Sequence, residues 1–108
     1  MTNDDFRRLA LSLPETCESA HMGHPDFRVG GKIFATIPWP DRNCGMVKLL
    51  PEEQKAFVKD QPAFEAVPGG WGLRGATYVQ LDRVDEATLQ NALLSAWRST
   101  APKRLVGR

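Results

Sequence analysis

The chain holds only two cysteines, two histidines and one tyrosine, and it has no long apolar run. Two thiols, Cys17 and Cys44, are too few for a disulfide scaffold, so both are expected to be reduced. Without an apolar stretch long enough to span a bilayer, no membrane helix and no membrane partner are expected. Charge of one sign is lacking too: fourteen Lys and Arg face thirteen Asp and Glu, a formal +1. No bulk field therefore announces a nucleic acid or an acidic substrate, and any basic surface must come from local segregation of cations. The opening "MTNDDFRRLA" has acids where a secretory leader would have a basic region, which makes the cytoplasm the expected location.

What is present is ordinary for a globular protein. At 108 residues, 42% hydrophobic and 25% charged, the chain has the size and composition of one domain, 1–108, able to bury a core unaided. Thr2 with Asp5 approximates a capping box, and Phe6, Leu9, Ala10 and Leu13 recur at helical spacing until Pro14. From Glu18 to Leu50 the period shortens. Phe27 and Val29 alternate with Asp26 and Arg28, and Gly30-Gly31 supplies a two-residue hairpin turn. On the return strand Ile33, Ala35 and Ile37 are expected on the core face, with Lys32, Phe34 and Thr36 opposite. "PWPDRNCG" reads as a turn-rich connection and "MVKLL" as a third strand, with Val47 and Leu49 opposite Met46 and Lys48.

Pro51 opens a second helix, with Glu52 and Glu53 in its first turn, and Pro62 closes it. "AFEAV" is a short strand, "PGGWGLRG" a glycine-rich loop, and "ATYVQLD" a strand with Thr77, Val79 and Leu81 opposite Tyr78, Gln80 and Asp82. Asp85 caps a last helix, with Val84 stapled against Leu89 and a stripe of Leu89, Ala92, Leu93, Ala96 and Trp97. "APKRLVGR" ends the chain as a basic tail. The order α-β(3)-α-β(2)-α predicts an α+β domain: an antiparallel sheet of about five strands with all helices on one face. Ile33, Ala35, Val47, Leu49, Val79, Leu81 and Leu93 should be buried together.

Few residues look chemical. Cys17, His21, His24 and Cys44 could ligate zinc, but no closely spaced cysteine pair anchors them, and on an extended segment His21 and His24 point to opposite faces. No metal and no cofactor are expected. "GGKI" lacks the Walker spacing, and Gly70 to Gly75 matches a dinucleotide pattern by letters but leads into a strand, not a helix. Cys44 with His24 and Asp41 could be drawn as a nucleophilic triad, yet no helix N-terminus would lower the thiol's pKa. No catalytic residue is therefore assigned. Trp97 belongs to the core stripe. Trp71 is either an exposed stacking residue or a pin holding the glycine-rich loop over the sheet.

A resemblance carries the reading further. Leu13-Pro14, Glu18, His21, Gly23, Pro25, Phe27-Arg28-Val29 and Gly31-Lys32-Ile33-Phe34-Ala35 resemble the opening of the MmcQ/YjbR-like family of small bacterial proteins. Trp71-Gly72, Gly75-Ala76-Thr77, Ala96-Trp97-Arg98 and Ala101-Pro102 agree with its later part. The family has glycine after the equivalent of Pro14, where this chain has Glu15. The resemblance implies a two-layer fold similar to type III secretion chaperones, and a DNA-binding role by analogy with a "double wing" domain. It implies no catalytic residue.

The expectation that follows is a non-enzymatic DNA-binding module using the open sheet face. Arg28, Lys32 and Lys48 would meet phosphates there, with Phe34, Tyr78 and Trp71 for apolar or stacking contact. The alternatives are a protein-interaction module, forming a homodimer or holding a protein partner through that face, and a small-molecule or drug binder whose pocket Trp71, His21 and Tyr78 would line.

Overall fold

The structure, a computed structural model, describes residues 1–38 and 43–106. Helix α1 (Asn3–Leu11) precedes four strands: β1 (Thr16–His21), β2 (His24–Val29), β3 (Lys32–Thr36) and β4 (Cys44–Lys48). Helix α2 (Pro51–Asp60), β5 (Phe64–Ala66), a short α3 (Gly70–Leu73) and β6 (Ala76–Gln80) follow, then α4 (Glu86–Thr100) and α5 (Lys103–Val106). The six strands form one antiparallel sheet in the order β1-β2-β3-β4-β6-β5. Helix α4 packs on β3 and β4 and against α1, which makes the domain a two-layer α+β fold.

Helix starts follow from local chemistry. Thr2 Oγ1 accepts from the Asp5 N–H, while an Asp5 carboxylate oxygen accepts from the Thr2 N–H at 2.9 Å. Asp85 Oδ1 accepts from the Thr88 N–H at 2.7 Å, and Val84 and Leu89 are both in the core. Pro51 takes the first position of α2, where its missing N–H costs nothing. Ala35, Val47, Leu49, Val79, Leu81 and Leu93 are buried together in the helix-side core, as expected. Trp97 joins them and donates from Nε1 to the Pro14 carbonyl.

Four expectations are corrected. The first concerns β1, which carries no alternating apolar signal because it is an edge strand, exposed from Cys17 to His21. A two-residue turn at Met22-Gly23, with φ of 49° and 82°, folds it onto β2, so His21 and His24 form a facing pair rather than pointing apart.

The second concerns β3. Phe27 pairs with Ala35 but Arg28 pairs with Ile33, so Phe34 is the extra residue of a β-bulge. Phe34, expected on the open face, is wholly buried in the helix-side core. Ile33, expected in that core, lies on the open face. Lys32, expected on the open face, pairs with core-facing Val29 and so turns toward the helix layer, where it lines a cavity with Ser99 and Thr100 at the end of α4.

The third concerns the glycine-rich loop, which is partly helical. The glycine-rich loop contains α3, whose Trp71 stands over the open face beside Ile33, Met46 and Ala76. Four glycine-rich residues explain why the periodicity is silent there. Lastly, the basic tail forms α5, and Arg104 makes a bidentate ion pair with Glu15 at 2.9 and 3.1 Å. Glu15 has φ of 53°, the left-handed conformation that favours glycine, which the resembled family has there. Residues 39–42, in the connection expected over "PWPDRNCG", and residues 107 and 108 of the tail lie outside the described residues.

The bulge makes a direct prediction. Phe34→Ala should destabilise the domain by about 3–5 kcal/mol in urea unfolding, the cost of emptying a core aromatic site. Ile33→Ala should cost clearly less. The reverse ranking would return Phe34 to the open face.

Candidate binding face

Strand periodicity puts Asp26 and Arg28 on the face turned away from the helices, two residues apart and side by side. Asp26 is nevertheless fully buried. Arg28 folds over it, donating from Nε to Oδ1 at 2.8 Å and from Nη2 to Oδ2 at 3.1 Å. His21 reaches across from β1, its Nδ1 2.8 Å from Oδ2. The Arg28 guanidinium holds the Asp26 carboxyl below its ordinary 3.8, against the opposing effect of burial and with help from the His21 hydrogen bond. The same pair raises Arg28 further. Asp26 thereby ties the β1–β2 edge together and fixes where the guanidinium lies.

Two cavities open beside this cluster. The first, about 410 Å³, has an apolar floor of Ile33, Met46 and Ala76 from three strands, a wall of Trp71, and His21, Lys48 and Arg74 around it. Trp71 is 61% exposed. The second, about 380 Å³, lies toward the C-terminal end of α4 and is lined by Arg28, Gly31, Lys32, Ile33, Lys48, Ser99 and Thr100. Ile33 and Lys48 belong to both, so the cavities adjoin. Among the described residues no carboxylate pairs with Lys32, Lys48 or Arg74. Their positive charge is not cancelled locally.

The loop carrying Trp71 is held from below. Gln54, buried on α2, donates from Nε2 toward the Gly72 and Ala76 carbonyls and Thr77 Oγ1 at 3.0–3.1 Å. Thr77 Oγ1 in turn donates a hydrogen bond to the Gly75 carbonyl. Gly75, at φ of 113°, lies so close to the Leu49 carbonyl that a Cβ would overlap it. A buried polar network of this kind fixes one loop position, because each member loses a partner if the loop shifts.

Of the residues expected to form the site, Arg28, Lys32 and Lys48 meet in the second cavity, and Trp71 borders the first. Tyr78 is on the same face, half-buried against the Met46, Val67 and Ala76 cluster, and lines neither cavity. Phe34 is in the core and takes no part. Sequence reasoning put Met46 on the open face without assigning it to the site, and it missed Arg74 and the buried role of Asp26. The i, i+2 spacing of Asp26 and Arg28 was the one signal for the last; Arg74 sits in the glycine-rich loop and gave none.

Cys17 is exposed and Cys44 buried, and no disulfide joins the two. Among the described residues no group of three or more His, Cys, Asp or Glu could hold a metal ion. Asp41, the third member of the drawn triad, lies outside the described residues. No helix among them is long and apolar enough to cross a membrane.

Fold and face define a two-layer α+β domain with a cation-flanked, partly apolar open sheet. The chain belongs to the YjbR family: the model of that family, described simply as YjbR, matches residues 11–99. That span includes every residue lining the two cavities except Thr100. No curated protein and no solved structure matches the chain.

Two measurements test this description. Because the folded Asp26 pKa lies below its unfolded value, its stabilisation is complete above about pH 4 and is lost as pH falls through the folded pKa. Asp26→Asn should cost about 1.5–3 kcal/mol at neutral pH. That gap to wild type should narrow in acid; a constant gap would mean the carboxylate charge contributes nothing. Separately, a chelator should leave the thermal midpoint unchanged, since the core needs no metal. A drop that zinc restores would show Cys17, His21, His24 and Cys44 to have been misjudged.

Proposed function

We propose that this domain binds nucleic acid, taking backbone phosphates on the cationic cleft where its open sheet face meets the end of α4. The observation that carries the reading is the convergence of Arg28, Lys32 and Lys48 on one cleft, with Arg74 across the neighbouring cavity. Arg28 is offset by Asp26, so Lys32, Lys48 and Arg74 supply the net charge. The fold likeness to a double-wing DNA-binding domain, implied by the resemblance to the family, agrees with this. Fold likeness alone does not fix function, and the weight rests on the cleft.

The mode of binding follows from what the helices are doing. Helices α1 and α4 bury their apolar stripes in the core, and α2, though mostly exposed, lines neither cavity, which leaves strands, the α3 loop and the C-terminal end of α4 to make contact at the cleft. No helix is offered to a major groove, so the reading is of backbone recognition with little sequence preference. Enzymatic chemistry has no support on this face, because no nucleophile and base are paired there.

At low salt the dissociation constant for DNA should be on the order of micromolar or weaker. Three neutralised phosphates give a log–log salt slope of roughly −3 for duplex DNA, and Lys32→Ala or Lys48→Ala should each make it shallower by about one unit. Lys59→Ala, on exposed α2, should leave it unchanged. Arg28→Ala is the poorer test, since it would orphan buried Asp26 and disturb the fold. No DNA binding in low salt, beside a dimer through the sheet face in sedimentation, would replace this reading with an interaction module.

A further inference from the structure

The two cavities differ in chemistry, and that difference is more specific than a basic surface requires. The second is polar and cationic, with Arg28, Lys32 and Lys48 around it and the hydroxyl-bearing Ser99 and Thr100 at its edge. The first has a dry floor of Ile33, Met46 and Ala76 beneath an exposed indole. Phosphates alone would have no use for an apolar floor. A flat apolar ring joined to a phosphate would use both. At about 410 Å³ the first cavity falls within the roughly 300–1,000 Å³ range of small-molecule sites, which is ample for one nucleobase and its sugar. Lys48, shared by both cavities, stands where ring and phosphate would join.

We propose that the adjoining cavities form a site for one unstacked nucleotide of a single strand, its base against Trp71 and its phosphate between Lys32 and Lys48. This rests on the nucleic-acid reading above and narrows it. In a duplex the bases are paired and stacked, so their edges reach the grooves but no base face is open to an indole. In a single strand a base turns outward and stacks on an aromatic face, with little dependence on which base it is. The position of the indole is not left to chance: Gln54 anchors the backbone of α3 through Gly72, and a Cβ at Gly72 would overlap the Val67 carbonyl. Arg74, one turn from Trp71, adds a cation on the side of the cavity away from Lys32. A strand crossing the face would thus meet a cation on either side of the bound base.

The test is fluorescence anisotropy at low salt with a labelled oligothymidylate, a duplex of equal length, and thymidine monophosphate as competitor. Wild-type protein should bind the single strand at least about tenfold tighter than the duplex. Trp71→Ala, at an exposed position where the fold should persist (checked by circular dichroism), should remove that preference and leave duplex affinity unchanged. Trp71→Phe should keep part of the preference. Lys32→Ala should weaken both forms alike. Equal binding of the two forms, or a preference indifferent to Trp71→Ala, overturns the single-strand site while leaving phosphate binding intact. Competition by the mononucleotide at the oligonucleotide's own affinity overturns it as well and makes a free nucleotide the occupant. Binding of neither form overturns this inference and the reading beneath it together.

Discussion

The register of β2 against β3 is the constraint on which the rest of this molecule depends. Run from its Gly30-Gly31 turn, the hairpin pairs Val29 with Lys32 and Arg28 with Ile33, which puts Ile33 on the open face and Phe34 on the core side. The one extra residue then keeps Ala35, paired with Phe27, in the core as well, where an unbroken register would turn it to the open face. Phe34 then fills the space under α4, where a fully buried aromatic contributes several kcal/mol, and Ile33 becomes the shared floor of two cavities. A bulge also increases the local twist of the strand pair. Turn register and bulge together therefore serve both layers, completing the core on one side and leaving Ile33 as a cavity floor on the other.

The open face is organised around a buried charge. A carboxylate with no exposed surface is costly unless its hydrogen-bonding capacity is met, and Asp26 meets it with two donors from Arg28 and one ring nitrogen of His21. The pairing has two consequences. It joins the exposed edge strand β1, which lacks an apolar anchor of its own, to the sheet by side chains as well as by its ladder. It also withdraws Arg28 from the pool of uncompensated cations, so the field of the face comes from Lys32, Lys48 and Arg74.

Function on this face is a matter of neighbours. Lys32 and Lys48 lie sixteen positions apart in the chain, and Trp71 and Arg74 are further still; only the strand order brings them together. The helix side is spent mainly on the core, with Ser99 and Thr100 at the end of α4 reaching the second cavity. The division of labour is that of a fold whose stability resides in one layer and whose binding surface resides on the other, with the Gln54 network joining the two through the α3 loop.

Much of the domain was determined by the sequence by itself. Both helix caps, the starts of α2 and α4, the Gly30-Gly31 turn and the buried face of β6 rest on residues within a few positions of each other, where local chemistry decides. Arg28, Lys32 and Lys48 were legible as cations of one region for the same reason. The tertiary structure alone decided the edge strand β1, the bulge at Phe34, the helix within the glycine-rich loop and the burial of Asp26. An edge strand has no buried face to leave a period-two trace, and a bulge breaks the period it would be read from. The position of Trp71 depends on contacts with Gln54 and Leu49, about twenty residues away, and no local pattern encodes a contact that only the closed fold creates.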